Sequence, residues 1–133
     1  MNGFLVEIEE ATRKNSHYRQ VLFTAKHSQL VLMSLKPGEE IGEEVHDLDQ
    51  FLRFEAGEGT VVLDGEKHAV SDGFAVVIPA GTRHNVLNRS KTADLKLYTI
   101  YSPPEHKVGT IHKTKQEADA DEHHHFDGRT SNG

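Results

Sequence analysis

No cysteine occurs among the 133 residues, which excludes a disulfide framework, thiolate chemistry and any cysteine-based zinc site. Apolar residues are scarce too, at 35% of the sequence with a mean hydropathy of −0.59. No run approaches the roughly 18 apolar residues of a membrane-spanning helix. Positive charge is outweighed, 15 Lys and Arg against 21 Asp and Glu, for a formal net charge of −6. That balance argues against nucleic acid and anionic membrane surfaces as partners. Residues 1–10 lack a charged, apolar, small-residue leader, so the expected compartment is the cytoplasm. Histidine, by contrast, is abundant. There are ten, and with the carboxylates they are the metal-ligand candidates.

A chain of this length fits one domain with a real core. Scarce apolar residues are used economically by sheets with one face buried. Residues 1–15 carry two patterns: 7–13 suit one or two helical turns, while Phe4, Val6 and Ile8 alternate like a strand. Short runs rich in Val, Leu and Phe follow at 18–25 and 28–35, and the second is closed by Pro37-Gly38. Residues 50–55 return to a strand pattern. Runs at 60–63 and 67–70 flank Asp64-Gly65, a tight hairpin signal. Residues 74–78 form an apolar run expected to be a buried strand, stopped by Pro79, which has no N–H for a ladder. His84 opens the next strand after the Pro79-Ala80-Gly81 turn. Leu95, Leu97, Thr99 and Tyr101 alternate with Lys96, Tyr98 and Ile100 in a last strand before Pro103-Pro104.

Eight or so short strands with turn signals every eight to twelve residues predict an all-β sandwich or barrel. The domain is expected to span 1–115. Residues 116–133 are rich in Ala, Asp, Glu and His without apolar periodicity, and are expected to be a flexible tail. Within it His123, His124 and His125 offer either an accessory metal site or a solvated stretch.

Two clusters carry chemistry. In the first, Glu44 and His46 are two apart and share a face on extended chain, and Gln50 has the same parity. The second holds His84. Two imidazoles, one carboxylate and one amide oxygen suit Fe, Mn, Ni, Zn or Co better than Cu(I). Leu52, Phe54, Val86 and Tyr101 lie at inward parity, as core or as pocket lining.

These clusters resemble the two motifs of the small single-domain cupins, whose fold is a double-stranded β-helix. The second motif, G-x5-P-x-G-x2-H-x3-N, is complete at Gly73, Pro79, Gly81, His84 and Asn88. The first, G-x5-H-x-H-x3-4-E-x6-G, matches at Gly38, His46 and Gly57, with Glu44 in place of a His and Gln50 in place of the Glu. The resemblance implies one divalent metal per chain held by Glu44, His46, Gln50 and His84. The four ligand types are loosely similar to those of the phosphomannose isomerases. It also implies pairing through outward strand faces, where this chain has Phe51 and Ile100, so a homodimer is expected.

Fold alone does not give function. One reading is an isomerase-like enzyme acting on a small polar metabolite such as a sugar or sugar phosphate. Against a phosphorylated substrate, the motifs have no Gly-rich anion loop and few bases besides Arg53 and Arg83. An Fe(II)-dependent dioxygenase and a non-catalytic metal- or ligand-binding module are the alternatives.

Overall fold

Period-two alternation of apolar residues accounts for the sheets. The computed structural model describes residues 2–132. The chain order is α1 (Ile8–Lys14), β1 (Arg19–Thr24), β2 (Gln29–Leu35), β3 (Asp49–Ala56), β4 (Glu58–Leu63), β5 (Glu66–Ser71), β6 (Ala75–Ile78), β7 (His84–Asn88), β8 (Leu95–Ser102), β9 (Ile111–His112) and α2 (Lys115–Ala120). The strands form a six-stranded sheet, β6-β3-β8-β2-β1-β9, and a three-stranded sheet, β5-β4-β7. Every pairing is antiparallel. The fold is all-β, two sheets closed over one core in the jelly-roll manner.

On β8 the alternation is obeyed throughout: Leu95, Leu97, Thr99 and Tyr101 are buried. They meet Val31, Met33 and Leu35 of β2, Leu52 and Phe54 of β3, and Val61, Val70 and Val86 from the smaller sheet. Each such side chain, fully buried, contributes roughly 1.5–3 kcal/mol. Asp64 and Gly65 turn the β4–β5 hairpin with φ of 48° and 84°, the left-handed pair that a two-residue turn needs. Gly57 is fixed by space as well as angle. A Cβ there would lie 2.4 Å from the Asp94 carbonyl oxygen, and its φ is +95°.

The N-terminal segment settles as helix rather than strand. Glu9 and Glu10 in its first turn and Arg13 and Lys14 in its last oppose the helix dipole favourably. The helix packs on β2, β3 and β8, which explains why both faces of β2 are largely buried. Among the described residues, no helix is long and apolar enough to cross a membrane.

Two expectations are corrected here. The run at 74–78 is not a buried strand: β6 is an edge strand, with Phe74 50% and Val77 65% exposed. A short apolar run does not by itself distinguish a central strand from an edge. The segment after residue 115 does not leave the domain. Thr114 and Glu117 form a capping box that starts α2, and Ala118 is buried against the core. The chain then returns along residues 105–107, with Lys107 N–H donating to the His124 carbonyl (2.7 Å) and Phe126 N–H to that of Glu105 (2.9 Å). Polar and backbone contacts hold it there, so apolar periodicity carries no trace of its docking.

Candidate metal centre

Backbone pairing brings the two motifs together. Glu44, in the loop before β3, and His84, first residue of β7, each donate an N–H to the other's carbonyl, both at 2.9 Å. Residues paired this way present side chains on one face, and His46 rejoins that face two residues on. The Pro79–Gly81 turn is tied to the same loop: Gly81 N–H donates to the His46 carbonyl (2.8 Å) and Ala80 N–H to Asp49 Oδ1 (2.9 Å). Gly81 permits this with a φ of +85°.

The donors of Glu44, His46 and His84 lie within 4.8 Å of one another. His46 Nε2 is 3.6 Å from Glu44 Oε2, and the two imidazole centroids are 5.2 Å apart. His84 is buried, and its Nδ1–H donates to the Thr82 carbonyl at 2.9 Å. That bond fixes the tautomer and leaves Nε2 with a free lone pair. Gln50, buried at the start of β3, donates through Nε2 to Thr99 Oγ1 at 3.0 Å. Its Oε1 is buried with no hydrogen-bond partner among the described residues. An orphaned buried acceptor costs roughly 1–3 kcal/mol, and a cation is a partner for it. The converging donors of Glu44, His46 and His84 thus fit a divalent ion, and Gln50 carries an unpartnered oxygen besides.

Beside this cluster is a cavity of about 160 Å³, bounded by Glu44, His46, Tyr101 and Glu105 on the barrel side and by Ala118, His124 and His125 from the C-terminal segment. Leu52, Phe54 and Val86 belong to the hydrophobic core and do not line it, whereas Tyr101 does both. Glu105 stands between two histidines, 3.7 Å from His46 Nδ1 and 3.4 Å from His125 Nδ1.

Behind them runs a chain of rings. His106 meets Tyr101 edge-on, and its Nδ1 is 2.9 Å from that of His124. His112 is fully engaged: Nδ1 accepts from Arg19 Nη1 (3.0 Å) and Nε2–H donates to Asp121 Oδ2 (2.9 Å). Arginine has no acceptor, so the His112 tautomer follows. Burial, then the Arg19 charge, drives the His106 pKa far below its usual value. The same two causes, in that order, lower His124 to about 4. The hydrogen bond from His112, then that from the His123 N–H, lowers Asp121 to about 2. Burial raises Tyr18 and Tyr101, so both phenols stay protonated.

Sequence reasoning did not find Arg19, Glu105, His106 or His112, and singled out His124 only as part of the His123–His125 stretch, without its place against the barrel. Excess histidine was the available signal. It could not be used, because these residues meet only once the chain returns across the barrel mouth.

The cupin-domain family matches residues 31–101, more than half of the chain and the stretch holding all four candidate ligands. The chain belongs to the cupin family. Among cupins and other relatives, the protein YrkC of Bacillus subtilis is 49% identical over 126 residues, covering 90% of this chain and 67% of that protein. The L612 protein of Acanthamoeba polyphaga mimivirus is 50% identical over 113 residues, covering 81% and 70%. The crystal structure of BH2720 from Bacillus halodurans matches with a TM-score of 0.86 and 46% identity, over 89% of this chain and 94% of that one. That coverage is wider than residues 31–101, so the likeness extends beyond the cupin motifs into the flanking segments.

Proposed function

We propose that this cupin is a metal-dependent enzyme that moves a proton on a small polar metabolite. The observation that carries the reading is the convergence of Glu44, His46 and His84 donors beside a part-enclosed, polar cavity. A divalent ion held by these residues, with Gln50 as a fourth donor, would supply Lewis-acid polarisation of a carbonyl or hydroxyl oxygen. The cavity, about 160 Å³, holds roughly five water volumes. It suits a metabolite of a few carbons rather than a whole hexose. Glu105 lines it without belonging to the ligand triad, and is the carboxylate placed to accept a proton. Tyr101, held protonated by burial, is a hydrogen-bond donor to a substrate oxygen. The C-terminal segment adds Ala118, His124 and His125 to the wall of the cavity.

A second reading has its own support: two histidines and one carboxylate are the facial set of non-haem Fe(II) oxygenases. Substrate-dependent oxygen consumption by the iron-loaded protein would select it. Tight binding without turnover would select a non-catalytic module. Cytoplasmic residence and a homodimer belong to the same proposal.

The test is elemental analysis of protein purified without a metal-affinity column. A deuterium-exchange screen of small carbonyl compounds with the metal so identified follows. One ion per chain and solvent exchange at a carbon beside a carbonyl are expected. Protein that binds no divalent ion at stoichiometric level would end the proposal.

A further inference from the structure

Arg19 is a buried cation without a counter-ion. It sits on β1, is 7% exposed, and lines the cavity that adjoins the metal-ligand cluster. Among the described residues, no carboxylate oxygen lies within 4.0 Å of its guanidinium. Arg53 meets Glu55 at 2.9 Å, Arg13 meets Glu9 and Asp72, and Arg83 meets Glu43, while Arg89 and Arg129 are exposed to solvent, so Arg19 alone among the described arginines is both buried and without a carboxylate. The contacts Arg19 does make are weak compensation. Its Nη1 donates to neutral His112, its Cζ lies 5.3 Å from the Tyr18 centroid, and its Nε is buried with no partner. A buried charge left so is strongly unfavourable, and proteins retain such groups where function needs them. A second polar atom is unspent beside it. His106, 2% exposed and lining the same cavity, has no hydrogen-bond partner for Nε2.

We propose that the cavity binds a small carboxylate, with Arg19 as its anion partner and His106 as an additional polar contact. This names the substrate class of the site proposed above and rests on that reading. Carboxylate is favoured over phosphate on charge. A single guanidinium faces the cavity together with Glu44, Glu105 and Asp119, of which Asp119 is paired with Lys115 at 3.0 Å. With Glu44 engaged by the ion, a doubly charged anion would still meet Glu105 and have only one guanidinium to offset it, so a single negative charge is the better fit. The planar fork of arginine also matches a planar carboxylate. Ile41, Tyr18 and Ala118 give the rest of the wall carbon surface for a short skeleton.

The test is calorimetric titration with acetate, pyruvate, lactate and malonate, with lactamide and inorganic phosphate as controls. Each is run on metal-loaded and on chelated protein. At least one carboxylate is expected to bind the loaded protein tenfold or more tighter than lactamide and phosphate. Arg19→Met should lose at least tenfold of that affinity while keeping its melting temperature, since it removes an uncompensated buried charge. If Arg19→Met does not fold, the parent comparison of lactate with lactamide still decides the matter. Equal affinity for those two, phosphate as the tightest probe, no binding by any of the four carboxylates, or full carboxylate affinity in Arg19→Met would overturn the proposal. Failure of the metal reading looks different: no ion loads, and carboxylate binding is the same before and after chelation.

Discussion

At the scale of single residues, the candidate ligands are not equivalent. His84 is buried, its ring locked by the Thr82 carbonyl and its backbone paired with Glu44. Glu44 is two-fifths exposed. His84→Ala is therefore expected to abolish stoichiometric metal binding, as read by elemental analysis. Gln50→Glu should hold or tighten it by supplying an anionic donor where the amide oxygen lacks a partner. Full metal content in His84→Ala would mean that the ion sits elsewhere. The histidines of the C-terminal segment make a second prediction. His124 titrates near 4 in the fold against about 6.5 unfolded, so folding favours its neutral form. That stability is present above pH 6.5 and is lost as pH falls from there towards 4. Arg19, His106, His112 and His125 face it with positive or protonatable groups, and Asp121 is the opposing carboxylate. Urea melts from pH 7 to 4 should show a shallower loss for His124→Gln than for the parent, and parallel curves would contradict the assignment.

At the scale of elements, what was legible depended on how local the cause is. The β4–β5 hairpin and the β8 alternation lie within Glu58–Ser71 and Leu95–Ser102 themselves, and were read with bounds close to those observed. Glu44, His46 and His84 were legible because motif spacing places each on a strand or beside one. The edge position of β6 was not, since Val76 and Val77 look the same in a central strand as at a rim. Nor was the docking of α2, whose anchors are Ala118, the His112–Asp121 bond and backbone carbonyls. The capping box is local and testable. Thr114→Ala removes the acceptor for the Glu117 N–H and should cost about 1 kcal/mol. The change should be seen as a lower urea midpoint at unchanged slope. An unaltered midpoint would show that α2 is held by its later contacts alone.

For the whole molecule, an ion that binds only the folded state adds roughly 2.7 kcal/mol at free metal 100 times Kd. In a domain of this size that raises the melting temperature by on the order of 10 °C. His84→Ala should show little of the rise. Identical melting of chelated and metal-loaded parent, with loading verified, would remove the stabilising role. Assembly is the second matter at this scale. Val77, Phe51, Ile100, Leu30 and Phe23 are register neighbours across β6, β3, β8, β2 and β1. They form an apolar row on the outer face, with Phe4 stacked on Phe23 at 5.3 Å. A second copy of the chain is the occupant proposed for it, covering the exposed β6 edge as well. Light scattering should give about twice 14.9 kDa, and a Phe51→Glu variant should give the single-chain mass. A parent that scatters as a single chain at all concentrations would refute the pairing.

The double backbone bond between Glu44 and His84 bears on how quickly an ion arrives. Those bonds need no ion, so the chain without metal already holds the donors in register, and little of the chain must be organised during capture. Loading should then follow one exponential phase whose rate grows linearly with metal concentration, limited by ion dehydration and by passage through the cavity mouth. Had the two motifs been joined only through the ion, the rate would level off at the speed of the slower ordering step. Amide exchange at Glu44 and His84 should for the same reason be slow before any metal is added.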